Sequence, residues 1–531
     1  MEKLQPKLIS CLKGYRGGQL ARDVMAGIIV AIIALPLSIA LAIASGVGPE
    51  QGLYTAIFAG FVISLLGGSR VQIAGPTAAF ASIVAGIVAT EGMQGLAIAT
   101  ILAGILLVLM GVLRLGSLIR FIPRTITVGF TAGIAVTIAI GQVKDFLGLV
   151  FTHAPVETME KVEAIAGSLG TMNPTALLVG LLALAILIIA PKIPGLKRVP
   201  PSLIAILVCA VLVALCRLNV NTIGDLYTVS SALPKPVLPG ISLQSILHAF
   251  PNAVTIAVLA AVESLLSCVV ADGMIGDKHN SNMELVAQGA GNICSALFGG
   301  IPATGAIART AANIKNGGRS PVAGMVHAIL LLLVLVLLMP YASLIPMPVI
   351  AAILFIVAYN MSEWREFVSI CKTSPKSDIL ILVLTFVLTV VFDLVVAIAV
   401  GIVLSTILFM KRMADETNVV RRDTAPANVA VYDITGPLFF GAADKLATAG
   451  DPGEVSAVVL CMQSVPAADA SGIHQLESVS HTLADRGITL LLTGVRPQPM
   501  QVLQKAGLYE SLGANSFFES EEAALRHVTA L

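Results

Sequence analysis

Charge is what this chain lacks most. Asp, Glu, Lys and Arg together make up 12% of its 531 residues, about half of the roughly 25% that soluble domains carry. That shortage excludes a chain that is water-soluble along its whole length. No charge of one sign accumulates either: the formal net charge is +1, and no basic tract interleaved with aromatics offers a nucleic-acid surface. The seven cysteines (Cys11, Cys209, Cys216, Cys268, Cys294, Cys371 and Cys461) form no CxxC pair and have no His companion at ligand spacing. Most sit in apolar runs, where Cys acts as a small hydrophobe. Also missing are GxSxG, Walker A and His/Cys cluster motifs, which removes catalytic, metal-centred and ATP-driven readings. No enzymatic activity, metal or cofactor is expected.

What the chain has is apolar length. Hydrophobic residues make up 56% of it, and the mean hydropathy is +0.93. Apolar segments fall near 24–44, 51–66, 76–90, 95–113, 125–141, 174–190, 201–216, 252–271, 284–298, 308–315, 321–339, 346–361, 378–393 and 394–410. That makes fourteen, two of them too short to cross a hydrocarbon core of about 30 Å alone. The expected fold class is an all-α polytopic membrane protein. The first run is longer than a signal-peptide core of about 7–15 residues, so it is a retained helix. Basic residues set its orientation. With the N-terminus inside, the inner loops receive Arg70, Arg114, Arg120, Arg124, Lys192, Lys197, Arg198, Lys278, Lys315, Arg319, Arg365, Lys372, Lys376, Lys411 and Arg412. The outer loops receive only Lys144, Lys161, Arg217 and Lys235, an asymmetry that puts both termini in the cytoplasm.

Composition changes after Met410. Residues 412–428 read as a polar linker between a transmembrane domain over 23–411, preceded by a cytoplasmic segment 1–22, and a soluble domain over 429–531. In the soluble domain, strand patterns (VAVYDI, VSAVVLCM, ITLLLTG) alternate with helical ones, the signature of a small α/β sandwich.

An internal repeat is the most informative feature. Gly67-Gly68 through Ala79 resembles Gly299-Gly300 through Ala311 at an offset of 299 − 67 = 232, which sets Pro76 on Ala308 and Thr77 on Arg309. Upstream, Ala34–Gly46 matches Ala261–Gly273 at an offset of 227, with Pro36 on Glu263. Seven segments per half give an odd repeat, so the halves enter the membrane in opposite senses. Inverted repeats with short Gly/Pro-interrupted helices point to a site at the bilayer midplane. The short helices are expected to begin near Pro76 and Ala308, and facing helix N-termini offer free amide donors and a positive field suited to an anion. Arg309 adds a full charge at membrane depth, where a charged group lines a cavity or pairs. Glu263 is the only carboxylate in the run Ala253–Val270. It could carry a coupling proton, pair with Arg309, or form a sodium site with Ser267 one turn along. Gly129 and Gly133 fit a small-xxx-small packing face. Asp272, Asp277, Lys278 and His279 read as a solvated turn, and Asp393 as part of an outer turn.

These residues resemble the SulP family of anion transporters. The resemblance runs through Pro36, Gly52-Leu53-Tyr54, Gly67-Gly68-Ser69-Arg70, Gly75-Pro76, Glu263, Asp272-Gly273, Asn292 and Arg309, then into a C-terminal STAS domain. It implies core and gate domains built from two seven-helix inverted repeats, elevator-like alternating access, and a homodimer. It also implies an anion site between the third and tenth helices with side chains from the first, which selects Leu37, Leu41, Thr77, Ala78, Ala308 and Arg309. Where some relatives have Gln or an aromatic, this chain has Leu37 and Leu41, and where they have Ser it has Ala308. Coordination thus falls partly to backbone amides and points away from chloride-type selectivity. The Glu263–Asn313 run and Gly436-Pro437-Leu438-Phe439-Phe440 are most similar to a bacterial branch containing an aerobic four-carbon dicarboxylate transporter. The implied function is proton-coupled symport of a succinate-like dicarboxylate across the inner membrane. The alternatives are sulfate or bicarbonate transport, coupled to protons or sodium, or a passive exchanger or channel. Asp469-Ala470-Ser471-Gly472 matches the STAS loop that carries a phosphorylatable Ser, here Ser471. A structural turn in which Asp469 and Ser471 cap the next helix is the favoured reading, and a cytoplasmic partner of the STAS domain is a further candidate.

Overall fold

The computed structural model describes residues 4–117, 123–153, 155, 157–194, 199–240, 242–392, 394–422 and 428–529. Asp393, expected in an outer turn, and the basic residues Arg120, Lys197 and Arg198 lie outside the described residues. The chain divides into two compact units, Met1–Ile402 and Val403–Leu531.

Each of the fourteen apolar runs is met by a helix. They are α1 Gly17–Ala44, α2 Pro49–Leu66, α3 (78–91), α4 (93–112), α5 Arg124–Leu147, α6 Pro174–Ile189, α7 Pro201–Cys216, α8 Leu243–Ile275, α9 Ser281–Leu297, α10 Ile307–Lys315, α11 Val322–Ala342, α12 Met347–Met361, α13 Lys376–Val391 and α14 Leu394–Glu416. The break between α3 and α4 falls on Gly92, whose φ of 68° suits a residue without Cβ. Among the described residues, nine helical stretches are long and apolar enough to cross a membrane.

The helices of the first unit pack in two groups. In one, α1–α4 interlock with α8–α11; in the other, α5–α7 pack with α12 and α13. Glycines set the closest approaches. A Cβ on Gly289 would stand 2.4 Å from the Gly104 carbonyl oxygen, and one on Gly104 would stand 2.7 Å from that of Gly289. The backbones of α4 and α9 therefore touch, as small residues permit in a bilayer. The packing face expected at Gly129 and Gly133 meets α13, where their Cβ positions lie 2.8 Å from the Leu382 carbonyl oxygen and 2.6 Å from Thr389 Cβ. Gly289→Val should force α4 and α9 apart and destabilise the unit by about 1–3 kcal/mol, seen as a lower midpoint of thermal unfolding in detergent. An unchanged midpoint would contradict this packing.

The short helix Lys7–Leu12 docks at one end of the bundle. Lys7 N donates to the Gly67 carbonyl at 2.9 Å, and Lys7 Nζ reaches Asp277 Oδ2 at 3.2 Å. The loops after α2 and α8 thus emerge at the same end as the N-terminal segment, as the basic-residue pattern requires.

The second unit holds a five-stranded sheet of order β3-β4-β5-β6-β7, formed by β3 Asn418–Arg421, β4 Val429–Thr435, β5 Ala457–Ser464, β6 Thr489–Thr493 and β7 Phe517–Phe518. Strand β3 pairs antiparallel with β4, and the remaining pairings are parallel. Residues 412–428, read as a linker, therefore include an edge strand of the sheet. Its polar composition suits one exposed face, where burial cannot mark it as a strand. Residues Val458, Leu460 and Met462 of β5 fill one core, and Ala457, Val459 and Cys461 fill another. Both faces are covered, as a parallel sheet demands.

Candidate functional site

The site begins where α2 ends. Gly68 lies so close to the Asn280 carbonyl that a Cβ there would stand 2.0 Å from its oxygen. Here the chain leaves the helix and climbs back into the bundle as extended backbone. Glu284, fully buried at the start of α9, holds that climb. It accepts from Gly68 N (2.9 Å), Ser69 N (3.2 Å), Gln72 Nε2 (2.8 Å) and Gln288 Nε2 (2.8 Å). The second half is held in kind. Asn292 Oδ1 accepts from Ala303 N at 2.8 Å and its Nδ2 donates to the Ala303 carbonyl at 2.9 Å. Thr55, which opens a π-helical turn Thr55–Ala59 in α2, accepts from Ile301 N at 2.8 Å. Glu284, Gln288 and Asn292 recur every fourth residue, a polar stripe on an apolar helix that sequence reading could have flagged.

The two extended segments meet as strands β1 Ala74–Gly75 and β2 Thr304–Gly305, antiparallel, with Ala74 opposite Gly305 and Gly75 opposite Thr304. The local two-fold of that pair maps Ala74 to Thr304, an offset of 304 − 74 = 230. The repeat alignment anchored on the double glycines is thus two residues out at the site. Seven positions separate Gly67 from Ala74 and only five separate Gly299 from Thr304. Ala78, not Pro76, is the counterpart of Ala308. Side chains brace the crossing: Ile73 N donates to Thr310 Oγ1 at 3.0 Å, and Asn313 Nδ2 donates to the Val71 carbonyl at 2.8 Å.

From this ribbon α3 and α10 depart with their N-termini beside it. Their N-caps are Thr77 and Ala306, and neither has a side-chain cap bond. Pro76 therefore precedes the helix rather than opening it. The first amides of α3 and α10 have no acceptor within their own helices and remain available to a ligand. Ala308 is exposed, Leu37, Thr77 and Glu263 are half-buried, and Leu41, Ala78 and Arg309 are buried, Arg309 at 3% exposure.

Glu263 and Arg309 both meet the head of α3, and they do so separately. Thr77 Oγ1 donates to Glu263 Oε2 at 3.0 Å, whereas Arg309 Nη2 donates to the Pro76 carbonyl at 3.1 Å. Among the described residues no ion pair joins the two. Ser267 is buried and turns its hydroxyl to Thr310 Oγ1 at 3.5 Å. A cavity of about 380 Å³ is lined by Ser82 of α3, Gln142 of α5, Glu157, Lys161, Asn252 and Thr389 among others. Burial holds the Lys161 amine below the usual lysine range.

In the second unit Asp469 caps the helix Ala470–Asp485, accepting from Gly472 N at 2.9 Å and from Phe440 N at 3.1 Å. Ser471 stands exposed in its first turn, so the capping falls to Asp469.

A sulfate permease family model matches residues 20–385, and a STAS domain model matches residues 421–524. Over 522 residues the chain is 41% identical to a putative sulfate transporter, YvdB, of Bacillus subtilis, spanning 96% of this chain and 98% of that one. It is 30% identical over 536 residues to the bicarbonate transporter BicA of a Picosynechococcus species, spanning 95% and 94%. The structure of SLC26A9 matches at a TM-score of 0.89 and 18% identity, over 99% of this chain and 93% of that one, which speaks to the fold alone. The transmembrane domain of a cyanobacterium bicarbonate transporter BicA matches at 0.64 and 28% identity, over 74% and 98%.

Proposed function

We propose that this chain, which belongs to the sulfate permease family, is a multi-pass membrane protein that binds one compact anion at the paired heads of α3 and α10 and carries it across the bilayer. The observation that carries this reading is the juxtaposition of two uncapped helix starts with Arg309 behind them. Free amides and a full positive charge converge there at membrane depth, and such an arrangement favours an anion.

Size follows from the residues that the family resemblance selects: Arg309 as the cation, and the aliphatic Leu37 and Leu41 of α1 as lining. A four-carbon dicarboxylate would set its second carboxylate against those leucines, at a desolvation cost. A single tetrahedral or trigonal oxyanion would not. Sulfate and bicarbonate, named for the relatives YvdB and BicA, therefore come before the succinate-like substrate implied by the family resemblance. Elevator-like motion of the α1–α4 and α8–α11 group, pairing of two copies, inner-membrane placement with both termini cytoplasmic, and regulation through Ser471 or a STAS partner belong to the same proposal.

Glu263 supplies the coupling. An ionised carboxylate bonded to Thr77 opposes an anion at the head of α3. A proton on Glu263, or a sodium ion beside it, removes that opposition. Proteoliposomes should take up labelled sulfate or bicarbonate faster under an inward proton or sodium gradient, with succinate as competitor. In Glu263→Gln, uptake should persist and the gradient should no longer accelerate it. Uptake indifferent to both gradients and to the substitution would turn the reading to a passive exchanger or channel.

Lys161, at the cavity it lines with Ser82 and Gln142, steers the anion toward the heads of α3 and α10. Lys161→Gln should raise the apparent KM about two- to fivefold at neutral pH. Because burial lowers the lysine's titration range, its charge is present at lower outer pH and is lost as pH rises. The gap between wild type and variant should therefore close toward alkaline outer pH. A gap that is constant with pH would refute the steering role.

A further inference from the structure

Helix α11 carries a histidine inside the bundle. His327 is fully buried, and among the described residues neither of its ring nitrogens meets a hydrogen-bond partner. Leaving such a group dry and unpaired is costly. Two neighbours share the condition. Gly324 lies one turn before His327 on the same face of α11, and a Cβ there would stand 2.2 Å from Ser64 Oγ of α2. That hydroxyl is buried and also without a partner among the described residues.

Arg309 is the third. Its Nη2 is spent on the Pro76 carbonyl, but Nη1 is buried and unpartnered. Nη1 faces Gly75, whose Cβ position lies 2.6 Å from it and 3.5 Å from Ala56 of α2. Ala56 and Ser64 are eight residues apart on α2, about 12 Å along the helix. α11 runs antiparallel to α2, so His327, about 4.5 Å beyond Gly324, falls between the levels of Ser64 and Arg309.

We propose that His327, Ser64 Oγ and Arg309 Nη1 together bind water inside the bundle, and that through this water His327 is a positioning residue for the Arg309 guanidinium. A neutral imidazole has one donor and one acceptor nitrogen, so it can link a water held by Arg309 to one held by Ser64. Buried water typically makes two to four such bonds, and contacts beyond hydrogen-bond reach are commonly bridged this way. The bridge holds the inner edge of Arg309 while Pro76 holds the outer edge. The guanidinium is thereby fixed across the head of α3.

This inference rests on reading Arg309 as the charge of the anion site. It is tested on the purified full chain in proteoliposomes by the concentration dependence of uptake of labelled sulfate and, in parallel, labelled bicarbonate. His327→Leu removes the water's partner and should raise KM about tenfold, the worth of one hydrogen bond, with Vmax within about twofold. His327→Gln keeps a donor and an acceptor and should return KM to within about twofold of wild type. Wild-type KM in the Leu variant, or equal defects in the Leu and Gln variants, would overturn the proposal. Should the Leu variant fail to run as a single species on size exclusion, Ser64→Ala carries the test. It should raise KM about threefold, and an unchanged KM would overturn the proposal. Arg309→Gln run alongside separates the two claims. If that variant transports like wild type, the reading of the site fails; if it is impaired while the His327 variants are not, only this inference fails.

Discussion

Arg309→Gln should weaken anion uptake by roughly 10- to 100-fold in apparent affinity while leaving a protein that purifies as one species. A charge-assisted hydrogen bond is worth about 1.5–3 kcal/mol, and each 1.4 kcal/mol is about a factor of ten. The variant loses both the bond from Nη2 to the Pro76 carbonyl and the charge behind the amides of α3 and α10. The fold should tolerate it, because a buried guanidinium without an ion-pair partner is itself expensive to desolvate. Arg309→Lys should fall between the two, since an ammonium keeps the charge but lacks the planar fork of the guanidinium. Labelled-anion uptake against concentration is the measurement, and a KM unchanged in the Gln variant would remove Arg309 from the site.

The largest effect on stability should come from Glu284→Ala. Four donors converge on this one fully buried carboxylate: two backbone amides of the climbing segment and the side-chain amides of Gln72 and Gln288. Each buried donor left unsatisfied costs about 1–3 kcal/mol, so the total should be at least about 3 kcal/mol after relaxation. The thermal midpoint in detergent, followed by size exclusion of the heated sample, should drop on the order of 10 °C. Glu284→Gln keeps one acceptor oxygen and should lose about half as much. An Ala variant that melts within about 2 °C of wild type would show that the climb is held by something else.

Helix positions were legible because the signal is local: a run of apolar residues reports its own burial in lipid, and each of the fourteen became a helix. The division of α3 from α4 was legible for the same reason, with Gly92 marking the break. The site was only partly legible. Arg309 and Glu263 stood out as charges in apolar text, but their partners depend on contacts made across the fold. Neither residue announces that Thr77 and the Pro76 carbonyl, rather than each other, are what they meet. The repeat misled by two residues because loops of unequal length separate the double glycines from the strands, and identity at one landmark does not fix register at another. Glu284 is hard to read at the edge of a span, where a carboxylate passes for a solvated end. Strand β3 was hidden because a polar edge strand has the composition of a linker. His327 carries no signal in the sequence, because one imidazole in an apolar helix acquires meaning only from the unpaired neighbours that folding brings to it.

The ribbon of β1 and β2 has a bearing on how such a chain could have originated. Each half supplies one strand and ends with its hydrogen-bonding edge open, so neither half can complete the crossing from its own residues. A free-standing ancestor of seven segments would have had to borrow that strand from a second copy inserted upside down. Gene fusion would then have turned an encounter between two molecules into a covalent certainty. The same logic applies to a chain cut in the loop between α7 and α8: the fragments should be inert when made separately and should recover function only when made together.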